Sequence, residues 1–340
     1  MKALKNYFLL SLSILYISCG SSSKKKKISV DSDANISNID FTKSYDISSK
    51  KYGTETHMVV NDSTRILKTN SLPNHEIGVF PNPGNPNSIK AQDITYTFPL
   101  VPKLTGKSRW ARQPGVAVNG IKFEPETAER FVCETGEVYR IEAFQDIVDF
   151  GLDENNAHVQ PTGAYHYHGV PTELIKELDK GEDLILVGYA TDGFAIYYSK
   201  SGKYKPSYKL GVTPRTGEVC EYKKPGFTTE KEINNTNPDG TFVSDWSYVK
   251  NSGDLDECNG IEIDGEYTYL LTDEYPYVGR CLKGEFVEHH GGGGSGPRPR
   301  GGGGSEGGGR PEGGRPGGPG GPGGPNGDRP EEEHSHGGGQ

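Results

Sequence analysis

The sequence predicts a mainly β fold: one β-rich α+β domain of short strands with an internal pseudo-repeat and a short helix, flanked by an N-terminal tether and a Gly/Pro-rich tail. Three observations carry that expectation. Short runs of strand-forming residues recur at residues 94–98, 115–123, 138–144, 164–170, 184–190, 194–199 and 267–272. Asn-Pro, Pro-Gly and Asp-Gly steps separate them, and Pro81, Pro83 and Pro86 exclude helix from the loop they share. The segment from Leu152 to His168 is matched by another about 100 residues later, beginning at Leu255.

Taken in chain order, Lys2 and Lys5 followed by a mostly apolar stretch over residues 7–17 read as an export signal. The stretch is too short to cross a bilayer as a helix, which takes about 20 residues. Residues 1–18 are expected to be the signal, because Ile17-Ser18-Cys19-Gly20 resembles a bacterial lipoprotein cleavage box in which Cys19 becomes the lipidated first residue. Tyr16 departs from that pattern, which favours a small or aliphatic residue. A lipid anchor on the membrane and a place in the cell envelope, periplasmic or surface-exposed, are the expectations. Residues 19–49, with Lys24 to Lys27, read as a flexible tether and residues 50–290 as the domain. Residues 291–340 hold 24 of the 48 glycines and 8 of the 23 prolines, a composition that buries almost no apolar surface and reads as a disordered tail.

Charge narrows the partners. The formal net charge is −9, and residues 50–290 alone carry −11. Nucleic acid is excluded as an expected partner, since phosphate-backbone binding needs clustered Lys and Arg. A cation, a neutral sugar or a basic protein is compatible.

Within the domain, residues 172–180 are expected to form a surface helix, with Thr172 capping the first turn, Leu174, Ile175 and Leu178 on one face, and Gly181 as the stop. Asp192-Gly193 is expected to turn a hairpin. Four cysteines remain once Cys19 is set aside, an even number that predicts two disulfides in an oxidising compartment. Cys258 with Cys281 is favoured because the two flank a compact hairpin-like stretch, which leaves Cys133 with Cys220.

The repeat carries the candidate chemistry. Both copies read as an acidic turn, a loop and a Tyr-x-Tyr strand, but His158, His166 and His168 of the first copy face Ile261, Thr268 and Leu270 in the second. On an extended segment His166 and His168 leave the same face, with Tyr165 and Tyr167 on the other. Two imidazoles aimed at one point suit a first-row transition ion, zinc or copper, and His158 and His75 are the candidates to complete the site, with Asp153 and Asp192 in support and Glu173 a further carboxylate. Tail residues His334 and His336 form a second, weaker candidate in a polar segment.

At Tyr165-His166-Tyr167-His168 the sequence resembles the YHYH-domain family, and the likeness extends through Leu72-Pro73-Asn74-His75, residues 115–123, 163–171 and 187–197, and residues 255–284 with Tyr275-Pro276-Tyr277. The resemblance implies an exported domain and names no reaction. Relatives often repeat the Tyr-His-Tyr-His pattern in the later copy, where this chain has Tyr267-Thr268-Tyr269-Leu270. Three functions follow as expectations: a metal-binding envelope lipoprotein, an exported metal-dependent hydrolase or copper redox enzyme at the same histidines, and a non-catalytic glycan- or protein-binding module built on Tyr165, Tyr167, Tyr189, Tyr197 and Tyr198.

Overall fold

The computed structural model describes residues 29–31, 36–224 and 227–287; residues 1–18, expected to be an export signal, Cys19, Lys24 to Lys27 and the tail, with His334 and His336, lie outside the described residues. The fold is mainly β with one α-helix among the described residues. Its first strands are β1 (Ser29–Asp31), β2 (Tyr45–Ser49), β3 (Thr54–Val60), β4 (Thr64–Thr69), β5 (Ile94–Pro99), β6 (Leu104–Trp110), β7 (Gly115–Ala117), β8 (Lys122–Phe123), β9 (Arg130–Cys133) and β10 (Val138–Arg140). The next are β11 (Ala157–Val159), β12 (Tyr165–Tyr167), β13 (Leu184–Ala190), β14 (Ala195–Ser199), β15 (Tyr208–Leu210), β16 (Cys220–Lys224), β17 (Phe227–Lys231), β18 (Trp246–Tyr248), β19 (Gly260–Ile263), β20 (Glu266–Leu271) and β21 (Cys281–Gly284).

Strands β1 to β5 form a sheet in sequence order, while β10-β9-β16-β17 form a second sheet and β15-β18 and β21-β6 two ribbons. The central sheet has eight strands in the order β11-β12-β8-β7-β13-β14-β20-β19. That order is palindromic in structure. Each half is a hairpin (β11–β12 or β19–β20) whose inner strand pairs in parallel with β8 or β14, and an antiparallel β7–β13 pair joins the halves. The sequence repeat is therefore part of a larger one that includes the turns at Asn119-Gly120 and Asp192-Gly193. Gly120 N donates to Ala117 O and Gly193 N to Ala190 O, both at 2.8 Å. Both glycines have positive φ, +86° and +94°, and a Cβ there would lie 2.1 Å from Thr69 Oγ1 or 2.4 Å from Pro99 O, so only glycine fits.

Three expectations are corrected. Residues 115–123 are two strands folded back at Asn119-Gly120 rather than one. The helix, α1, spans Thr172–Leu178 with Pro171 at its N-cap position; Thr172 makes no cap, and the Glu173 amide instead donates to Asn155 Oδ1 at 2.9 Å. Residues 36–49, expected in the tether, belong to the fold, because Ile36, Ile39, Phe41, Tyr45 and Ile47 are buried in the main core. Ser, Asn and Asp between these residues hide the apolar spacing.

The main core packs β2 to β5 (Ile47, Met58, Leu67, Phe98) against the central sheet (Ile121, Phe123, Tyr165, Tyr167) and α1 (Leu174, Leu178). A second cluster, Phe131, Tyr139, Ile141, Phe150, Tyr222 and Phe242, lies against the other small sheet. Both disulfides form, Cys133–Cys220 across the β9–β16 pair and Cys258–Cys281, closing sequence separations of 87 and 23. In the chain-entropy account the longer loop gains more, so Cys133→Ala/Cys220→Ala is expected to lower unfolding free energy by about 1 kcal/mol more than Cys258→Ala/Cys281→Ala in urea titrations.

Candidate metal centre

The acidic turn sets the site. Asp153 N donates to Ala157 O and Asn156 N to Asp153 O, with Asn156 at φ +55°; in the second copy Asp256 N donates to Gly260 O and Asn259 N to Asp256 O, with Asn259 at φ +60°. The Asp153 carboxylate accepts from Tyr165 Oη at 2.6 Å, Asn155 N at 2.9 Å and Gly78 N at 3.0 Å. Asp256 accepts from Tyr267 Oη at 2.8 Å, Cys258 N at 2.9 Å and Gly260 N at 2.8 Å. These bonds lock the hairpin register, so that His158 lies opposite His166, and Ile261 opposite Thr268. The pleat then buries Tyr165 and Tyr167 in the main core and sends His158, His166 and His168 to the opposite face, where His158 meets Phe150 of the second cluster.

On that face the three rings form a nearly equilateral group, with centroids 4.7 Å (His158–His166), 4.9 Å (His158–His168) and 4.7 Å (His166–His168) apart. One ring nitrogen from each lies within 4.8 Å of the others. His158 Nδ1 is 2.8 Å from Phe150 O, and a carbonyl only accepts, so Nδ1 carries the proton and Nε2 keeps its lone pair. His168 Nε2 sits 3.2 Å from that lone pair, while its Nδ1 is buried with no hydrogen-bond partner among the described residues. Neither tautomer of His168 satisfies both nitrogens. If Nε2 donates to His158, the Nδ1 lone pair is bare; if Nδ1 is protonated, two lone pairs face each other at 3.2 Å.

Burial pushes the His166 and His168 imidazoles well below their ordinary pKa, and mutual repulsion among the three rings adds to it. His158 is lowered by burial against a partial offset from its bond to Phe150 O. All three are therefore neutral at pH 7, the form that ligates metal.

Of the other sequence candidates, His75 does not join the group. Its Nε2 lies 2.6 Å from Tyr167 Oη, on the opposite face of β12, and Asn119 Nδ2 donates to the same hydroxyl at 3.0 Å. Asp153 is engaged by Tyr165, also on that opposite face. Asp192 occupies the position of Asn119 in the second half and accepts from Tyr269 Oη at 2.6 Å and Gly284 N at 2.9 Å. Glu173 bonds Lys176 at 2.6 Å. The carboxylate beside the triad is instead Glu124, which follows β8: its Oε2 lies 3.7 Å from His166 Nε2, while Lys122 Nζ and Gln160 Nε2 each donate to it at 2.6 Å. The Lys122-Phe123-Glu124 segment gives no sequence signal for this placement, which depends on the parallel β8–β12 pairing.

The tyrosine surface is not formed as expected. Tyr165, Tyr167 and Tyr189 are core residues, at most 3% exposed.

A comparison with curated proteins and one with solved structures each give no match. A family model described as YHYH protein matches residues 95–284, which take in the whole central sheet, both halves of the repeat and the histidine triad. By that match over more than half of its length, the chain belongs to the YHYH protein family.

Proposed function

We propose that this chain is an exported, envelope-anchored YHYH domain that holds one transition ion, zinc or copper, through His158, His166 and His168. The observation that carries the reading is the convergence of three neutral imidazoles, His166 and His168 buried and His158 half-buried, each with a ring nitrogen within 4.8 Å of the other two. The donor set suits either ion. Two nitrogens bound to one tetrahedral ion at about 2.0–2.1 Å stand about 3.3 Å apart, close to the 3.2 Å between His158 Nε2 and His168 Nε2. The frustrated tautomers of His168 point the same way, since a cation accepts both facing lone pairs. The two disulfides fit an oxidising compartment.

A bound ion supplies Lewis-acid chemistry, and copper also one-electron chemistry. Glu124 supports a hydrolase as the second reading, because it is a carboxylate beside His166 able to accept a proton at its Oε1 or Oε2. Glu124→Gln then abolishes turnover and leaves metal content unchanged.

The test is elemental analysis of the full chain after equal exposure to zinc and copper, with His289, His290, His334 and His336 replaced by alanine. One equivalent is expected, absent from the His166→Ala/His168→Ala variant. No uptake, or equal uptake by the variant, ends the proposal.

A further inference from the structure

A second feature lies outside the triad and stands independently of it. Residues 101–112 contain Lys103, Lys107, Arg109 and Arg112 and no acidic residue, in a chain of net charge −9. They include β6, every residue of which is exposed, and among the described residues β6 pairs on one side with β21 alone. Three large apolar side chains stand among these cations, Val101 at 73%, Leu104 at 53% and Trp110 at 52% exposure. Arg109 is held, its guanidinium bonded to Phe286 O and packed over the Phe286 ring. Lys103, Lys107 and Arg112 make no ion pair among the described residues, although the exposed Glu285 lies next to Lys103 through its amide, which donates to Lys103 O. Between Leu104 and Arg109 the pairing with β21 slips, and Gly106 takes φ +70°, so the middle of the ribbon bulges from its partner.

Lysines and a bulge are also how proteins blunt a strand edge against pairing. Edge protection gives no reason to expose Trp110, Leu104 and Val101 among the cations. Cations interleaved with an indole and aliphatic groups match the boundary of a bilayer, where anionic headgroups meet charge and the ring and aliphatic chains enter the layer beneath.

We propose that the β6 ribbon is a docking surface for an anionic phospholipid bilayer, with Lys103, Lys107 and Arg112 on the headgroups and Trp110, Leu104 and Val101 at the acyl boundary. The reading commits the domain to lie against a membrane on a defined edge.

Trp110 is the reporter, because an N-terminal anchor would bring the full chain to vesicles whether or not the ribbon touches them. The full chain is mixed with phosphatidylcholine vesicles with and without phosphatidylglycerol, and tryptophan emission and its quenching by brominated lipid are recorded. A blue shift and quenching are expected with phosphatidylglycerol, weak with phosphatidylcholine alone, and lost in Trp110→Phe, which leaves only Trp246. Lys103→Gln/Lys107→Gln/Arg112→Gln is expected to raise the phosphatidylglycerol needed for half the shift by about 100-fold, about fivefold per charge. Unchanged Trp110 emission while the chain sediments with anionic vesicles overturns the proposal. So does a response to heparin or DNA without one to vesicles, which would assign the ribbon to a soluble polyanion, and so does a shift that survives in Trp110→Phe.

Discussion

Replacing His168 by leucine is expected to weaken zinc or copper binding by about 100- to 1,000-fold and, at the same time, to stabilise the metal-free fold by about 1–2 kcal/mol. The first effect follows from removing one of three ligands from a site whose imidazoles act together. The second follows from the His168 Nδ1, buried with no partner among the described residues, and from its Nε2, which lies 3.2 Å from a His158 Nε2 that cannot donate to it. An unsatisfied buried polar atom costs more than an apolar group of similar size, and the second copy already carries Leu270 at the matching position, buried at 2% exposure. Competition with a chromophoric chelator reads the affinity, and urea unfolding in excess EDTA reads the stability. A loss of about 2 kcal/mol in EDTA would make His168 a scaffold residue, and an unchanged affinity would remove it from the site.

The second large effect concerns the acidic turn. Asp153→Ala is expected to lower unfolding free energy by about 3–5 kcal/mol, because it strips one carboxylate acceptor from a nearly buried tyrosine hydroxyl and two amides at once. Asp256→Ala likewise strips a tyrosine hydroxyl and two amides in the copy without histidines, with the local Gly260 amide in place of the distant Gly78 one, together with an ion pair from Lys283 Nζ at 3.0 Å. A comparable loss at both positions, measured without metal, identifies the aspartate as the brace of a repeated hairpin. If Asp153→Ala leaves stability intact and only metal is lost, Asp153 is a ligand and the assignment to the scaffold is wrong.

Much of this was legible in the sequence. The period-2 alternation of Tyr165-His166-Tyr167-His168 was enough to separate an apolar from an imidazole face, but the third ligand stayed open between His158 and His75 until the hairpin register set His158 opposite His166. The disulfides followed from an even cysteine count and one hairpin-like interval. What escaped the sequence depended on pairing between distant strands. His75 lies near the motif in space, but Tyr167 holds it on the core face of β12, and nothing in Leu72-Pro73-Asn74-His75 reveals the side. Glu124 reaches the triad only because β8 runs parallel to β12. The wider repeat was hidden because its sequence trace is short, Gly115-x-Ala117-x-Asn119-Gly120 against Gly188-x-Ala190-x-Asp192-Gly193, and the backbone demands a particular residue only at the turn glycines. Tyrosine content suggested a surface, yet the hydroxyls of Tyr165, Tyr167, Tyr189 and Tyr269 meet polar partners inside the fold, as Tyr189 Oη does by donating to Phe41 O at 3.0 Å.

The most direct measurement is X-ray absorption on the zinc- or copper-loaded chain beside a His158→Ile/His166→Thr/His168→Leu variant. That variant installs the residues the second copy already tolerates on the same hairpin, so loss of folding is not the expected cause of any change. Three imidazole scatterers on one ion, absent from the variant, are the predicted result. A spectrum without imidazole scattering, or the same spectrum from the variant, would contradict the account.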